Sequence, residues 1–516
     1  MDQRLAKPNY DYWILGGIFV LTLGFRFAFF NVYGHGFGDF NGRFLEMLWR
    51  MTQGDFVFPC MPPEMENDEI LPVFFYLPIA WLSRCDWMTL RVFHTLVISL
   101  FPCFAAFYMF KAVGRFSGVA TGVLLATSRY QIISNLELFR GRYIIALTLV
   151  MIAGLILLRK DSPVRYKSYI LAGFLVSTSF YIASHSAPMM LILAVIVFIN
   201  WLRQRKAIPF SRLLVLGLIT AMLLTPLLVY YAKHPTIPRH KTEKQIWNRY
   251  DLESEPEIII EQFKNVSSAI FKDARDLRLS YSGVPLLPIH VSILVGLGLI
   301  AALTYYRRPL VFLILISMGV YYLWVVGIEF KRYTGFYYEP FILMALMTAS
   351  ISLDAMVQSI VVRIPNRKVM VSCLVTVLLM TGLLFLNIRI LSNSVPRHTD
   401  TDLYSEMYQL FLEKPQMQNQ EIWFCDFIYN HARQGELYSL TFTLQKFGLT
   451  ARYLDIGQDP PMEITKTKDR IPVELTEQPK YLFVSRHYES KTDRLIELST
   501  TPVLAHNGRH FILFSL

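Results

Sequence analysis

Charge is scarce in this 516-residue sequence: 17% of residues are Asp, Glu, Lys or Arg, against 53% hydrophobic and 14% aromatic. A soluble globule of this length could not cover its surface with so little polar material, which places the chain among polytopic membrane proteins. Cysteine is also rare, with five scattered residues in neither a CxxC nor a Cys/His spacing, so no zinc-site pattern is present. Cys60 and Cys85 share one segment, and their spacing fits either a disulfide in an oxidising compartment or two free thiols. No small-residue cleavage site follows the first apolar run, Tyr12 to Phe30. That run is long enough to cross a hydrocarbon core of about 30 Å, so it reads as a retained helix and not a signal peptide. Internal repeats and low-complexity tracts are missing as well.

What charge there is carries information through its position. The net charge of +11 and a pI near 9.2 would suit nucleic acid, but the Lys and Arg residues sit in alternate short loops between apolar runs. That alternation is a topology signal, and no nucleic-acid partner is expected. With Arg4 and Lys7 placing the N-terminus in the cytoplasm, every even-numbered crossing ends on a basic cluster, for example Arg159 and Lys160 or Arg307 and Arg308. This predicts an α-helical polytopic membrane protein with about eleven transmembrane helices. The membrane domain covers 1–390, with outer loops at 31–89 and 232–288, and an extracytoplasmic α+β domain follows at 391–516. In that domain EIWFCDF (421–427), KYLFVSR (480–486) and RHFILFSL (509–516) predict strands, and Asp402 to Phe411 a helix.

Charges on the outer side stand out because the positive-inside bias gives no reason for them. Glu329, Lys331, Arg332 and Tyr333 fill one outer turn; Glu137, Arg140 and Arg142 fill another. Guanidinium groups bind phosphate bidentately and stay charged, so these turns are candidate phosphate sites, or else pairs that snorkel to headgroups. Arg26 lies in an otherwise apolar run, where a charge marks function unless it snorkels. Asp39 opens an amphipathic stretch with Phe40, Phe44, Met47 and Leu48 on one side and Arg43, Glu46 and Arg50 on the other, predicting a helix on the membrane surface. Asp39 is either its N-cap or a general base at a low-dielectric boundary. Asn41 leaves room for a divalent cation at Asp39-x-Asn41, the one cofactor the pattern admits. Glu64, Glu66, Asp68 and Glu69 read as solvated surface.

An Arg near the end of the first helix, an Asp opening an interfacial helix, then LPVFFYLPIAWLSR and LRVFHTLVISL resemble the N-terminal half of polytopic GT-C glycosyltransferases, most closely the bacterial protein-O-mannosyltransferase-like branch. The stretch 265–303 and KRYTGFYYEPFILMALM are similar to later elements of the same family. The resemblance implies sugar transfer from a polyprenyl-phosphate carrier to a glycan, lipid or protein acceptor at the outer face of a bacterial inner membrane. It matches Asp39 to the family's base, Arg26 to the Arg before it, and Arg332 with Tyr333 to an Arg-Tyr element. Two departures are visible: Phe40 follows Asp39 where many members have Glu, and only Glu137 with Arg140 and Arg142 stands where many have a second Asp. Arg26, Arg140, Arg142, Lys331 and Arg332 would stabilise the phosphate leaving group while Asp39 takes the acceptor proton, giving inversion. Two other classes compete: a flippase or transporter, which normally shows two related halves, and an O-antigen ligase or polymerase using a diphosphate-linked donor.

Overall fold

The computed structural model describes residues 9–30, 39–55, 71–135, 141–158, 165–204, 209–235, 257–272, 285–327, 338–363, 368–393, 402–425, 443–444, 446–455, 462–464, 470–472, 481–485, 503–507 and 511–515. Within these the chain forms two units: 1–34, 57–75 and 87–397 in the first, 35–56, 76–86 and 398–516 in the second.

The first unit is helical. Its described helices are α1 (Asn9–Ala28), and then, after α2 (Asp39–Thr52) and α3 (Leu71–Ser83), α4 (Trp87–Ser99), α5 (Phe101–Ala112), α6 (Arg115–Thr127), α7 (Arg129–Asn135), α8 (Gly141–Leu158), α9 (Tyr166–Ile182), α10 (Ala187–Gln204), α11 (Phe210–Lys233), α12 (Glu257–Phe271), α13 (Ile289–Thr304), α14 (Pro309–Val326), α15 (Glu339–Arg363) and α16 (Lys368–Asn393). Every apolar run expected to be a span is helical. By length and composition, seven described segments can cross a membrane, with α4 and α5 counting as one segment that continues through Leu100. Of the remaining apolar stretches, α6, α9 and α13 are helices of 13, 17 and 16 residues, while α16 has 26.

Helix α15 is the axis of this bundle. It is apolar all round, the mark of a helix enclosed by others, and Ile342 to Met347 are 0–2% exposed. Its Thr348, Ser350 and Ser352 hydroxyls donate to carbonyls three or four residues back, which removes the cost of burying them. Gly298 of α13 lies directly on the Thr348 carbonyl, so no side chain fits at this crossing.

The second unit holds α2, the C-terminal part of α3, α17 (Asp402–Glu413) and a seven-stranded sheet. Its strands are β1 (Glu421–Cys425), β2 (Thr450–Asp455), β3 (Met462–Ile464), β4 (Arg470–Pro472), β5 (Tyr481–Ser485), β6 (Val503–Asn507) and β7 (Phe511–Ser515), in the order β4-β3-β2-β1-β5-β7-β6. The three expected strands are β1, β5 and β7. Central β1 runs parallel to β2 and β5, and the outer pairings are antiparallel. Strand β1 follows α17 and a short 3-10 turn, and Tyr408 and Phe411 of α17 stack on Phe447 at ring-centre distances of 5.3 and 5.7 Å.

Helix α2 departs from expectation. Phe44, Leu45, Met47, Leu48 and Met51 are 0–1% exposed, and Phe44 meets the Tyr76 ring edge-on at 5.2 Å. Its apolar face is therefore spent on protein and not on lipid. Glu46, expected on the polar side, is also buried. The reason is tertiary: Thr52 at the end of α2 bonds the Cys85 thiol, and Lys446 donates to the Cys85 carbonyl at 3.0 Å and to the Tyr408 hydroxyl. Lys446 thereby holds a turn in which Arg84 and Cys85 both have left-handed φ, 51° and 54°. Cys85 is a free thiol here, pushed up to about 11 mainly by burial, and Cys60 lies outside the described residues.

Candidate active site

Arg26 sits in the last turn of α1, where a cation suits the helix dipole, yet it is 0% exposed and none of its three guanidinium nitrogens has a hydrogen-bond partner among the described residues. The carboxylate whose charge reaches it is Glu339, the first residue of α15 and also fully buried. A desolvated guanidinium with all its donors unspent has already met the cost of leaving water, and an anion brought to it regains that cost in charge-assisted bonds.

Further buried cations lie along the contacts that lead from this point. Four residues after Arg26, the Phe30 carbonyl accepts from Arg91 Nη2 at 2.5 Å, and the Arg91 guanidinium also lies 4.0 Å from the Phe30 ring centre. One turn further along α4, His94 packs on Gly141 so closely that a methyl group there would stand 2.6 Å from its Cε1. Glycine at the start of α8 is what allows α4 and α8 to approach here. Arg142, next in the chain and 4% exposed, donates from Nη2 to the Tyr143 hydroxyl at 3.0 Å and lies 5.0 Å from that ring's centre. Tyr143 in turn meets the His185 ring edge-on at 5.0 Å. Phe30, just past α1, and Gly141, at the start of α8, thus both meet α4, through Arg91 and His94.

Of the residues singled out in the sequence, Arg26 in the last turn of α1 and Arg142 in the first turn of α8 are both buried. Asp39 is the first residue of α2 and Asn41 the third, with both side chains outside what is described. Glu137, Arg140, Lys331, Arg332 and Tyr333 lie outside the described residues. Among the described residues no group of three or more His, Cys, Asp and Glu side chains comes together to hold a metal ion.

Sequence reasoning overlooked Arg91, His94 and Glu339. A signal for the first two was available in LRVFHTLVISL, where Arg and His stand three apart in an apolar run and so share a helix face. Glu339 had no such signal, because it sits at a run's edge where a carboxylate normally meets water. Glu46 was seen but misplaced: burial pushes its carboxyl up to about 7, with Arg50 opposing, and its Oε2 has no partner.

No family model and no curated protein matches the chain. Solved structures do. The crystal structure of ArnT from Cupriavidus metallidurans bound to undecaprenyl phosphate matches 99% of this chain and 98% of its own length, with a TM-score of 0.53 at 10% identity. The same protein in the apo state matches 96% and 97%, with a TM-score of 0.54 at 11% identity. At such identity the likeness is one of fold, shared with these ArnT structures over nearly the whole chain.

Proposed function

We propose that the chain is a GT-C glycosyltransferase of a bacterial inner membrane, N-terminus cytoplasmic, that moves a sugar from a polyprenyl-phosphate carrier to an acceptor on the outer face. The observation that carries this reading is Arg26, a fully buried guanidinium with no hydrogen-bond partner among the described residues. It occurs in a fold shared with a protein whose structure holds undecaprenyl phosphate. The short motifs quoted above favour the protein-O-mannosyltransferase-like branch.

Arg26 and Arg142, with Arg140, Lys331, Arg332 and Tyr333 as further contributors, hold the phosphate and the charge that grows on it as the bond to the anomeric carbon breaks. The electron pair of that bond leaves with the polyprenyl phosphate. Asp39 takes the proton of the attacking acceptor, and Glu137 is the second acidic group. A single displacement inverts the anomeric configuration. Asp39 and Asn41 are the residues that would face a divalent cation, and no step here is routed through one.

The test compares surface glycans and polyprenyl-phosphate sugars by mass spectrometry in wild type, a deletion strain and Asp39→Asn at equal expression. The expected outcome is that both mutants lose one glycan feature while a lipid-linked sugar accumulates, the point variant being slower by about 10²–10⁴-fold. An Asp39→Asn strain identical to wild type, beside a defective deletion strain, reduces Asp39 to a helix cap.

A further inference from the structure

Beyond Arg142 the contacts run on through a set of rings. Tyr143 meets His185 at 5.0 Å and 89°, and His185 meets Trp324 at 6.3 Å and 76°. The His185 backbone is pinned in its own short turn, Ser184–Ser186, by the Tyr321 hydroxyl, which donates to its carbonyl at 3.0 Å. Three short segments supply this cluster: the start of α8, the turn between α9 and α10, and two positions one turn apart near the end of α14.

Interfacial aromatics normally form a belt that faces lipid. Tyr143 is 3% exposed and His185 and Trp324 are half-buried, while the indole Nε1 of Trp324 is itself buried with no acceptor among the described residues. Three rings with polar edges, a hydroxyl, an imidazole nitrogen and an indole N–H, beside a buried guanidinium, match a ligand that has apolar C–H faces, several hydroxyls and an attached phosphate. A prenyl tail would use none of the three polar edges.

Building on the proposed function, we propose that the Tyr143, His185 and Trp324 cluster is the sugar subsite of the donor. Trp324 donates its indole N–H to a sugar hydroxyl, Tyr143 and His185 wall the ring, and Arg142 holds the phosphate to which the sugar is attached. Trp324 is then a specificity-determining residue that distinguishes a glycosylated carrier from a bare one.

The experiment measures binding of undecaprenyl phosphate and of undecaprenyl-phosphate mannose, glucose and arabinose to the full chain in nanodiscs. Trp324→Phe keeps a ring and removes the N–H. Its dissociation constant for the preferred sugar-lipid should rise about tenfold, the size of one neutral hydrogen bond, with that for bare undecaprenyl phosphate unchanged. Tyr143→Phe should weaken both lipids together, because it releases Arg142 from its hydroxyl. Equal losses for bare and glycosylated lipid in Trp324→Phe overturn the subsite, as does a wild type that binds all four lipids alike. A wild type that binds none of the four overturns the proposed function itself. For a readout independent of any variant, a diazirine on the sugar of the bound donor should label 184–190 or 317–326 of the wild-type chain; labelling confined to other segments also overturns the subsite.

Discussion

The two ends of α15 pose the same physical problem and solve it in opposite ways. Asp354, 2% exposed, accepts from the Tyr306 hydroxyl and from the Ser117 backbone N–H at 3.3 Å. Ser117, Thr121 and Ser350 close a hydroxyl network beside it, with oxygen separations of 2.9 and 2.7 Å, and Arg308 donates to the Ala112 carbonyl at 3.2 Å. That end is a knot of polar groups tying α6 and α15 to the turn after α13. Fifteen residues away, roughly 22 Å along the helix, Glu339 faces the field of Arg26, whose donors are all unspent. Evolution rarely leaves a buried guanidinium in that state without a ligand to complete it. The paired end is built for stability, and the open end for binding.

Arg26→Met tests the open end and should have the largest effect. Turnover of a polyprenyl-phosphate sugar in proteoliposomes should fall about 10²–10³-fold, as for loss of one charge-stabilising donor. A lower melting temperature with intact turnover would move Arg26 to the structural side.

Asp354→Ala tests the knot. It leaves two buried donors without an acceptor, at about 1–3 kcal/mol each, so melting should drop while turnover per folded molecule stays near wild type. Asp354→Asn, which keeps an oxygen acceptor, should recover part of the loss. A proportionate loss of turnover in the folded fraction would dissolve the distinction between the two ends.

Glu46 offers the smallest test, in the other unit. Burial raises its folded pKa to about 7, above the ordinary carboxylate value. Its contribution is therefore fully present below the unfolded pKa and lost as pH rises through about 7, by about 2–3 kcal/mol. Denaturant melts at pH 5 and pH 8 should show wild type losing more stability than Glu46→Gln over that interval; parallel curves for the two proteins would mean that Glu46 titrates normally.

The legible part of the fold was the part set by local pattern. Apolar runs of membrane length became helices, and the alternating EIWFC, YLFVS and FILFS became β1, β5 and β7. The three-residue β3 and β4 carry too few residues for alternation to show. In the site, Arg26 was legible as a charge in an apolar run and Arg142 as a basic residue in an outer turn. Arg91 and His94 also stand in an apolar run but could not be tied to Arg142 without the Gly141 approach.

By itself the sequence determined that the chain belongs in a membrane, where its helices lie and which charges are out of place, because hydropathy and charge position are local properties. Only the tertiary structure decided which of those charges are satisfied. Asp354 finds its partner 237 residues away in Ser117, and Arg91 finds an acceptor 61 residues away in Phe30, while Arg26 finds none. The apolar face of α2 was likewise readable as a stripe but not as buried, since lipid and protein are equally apolar neighbours and only packing chooses between them.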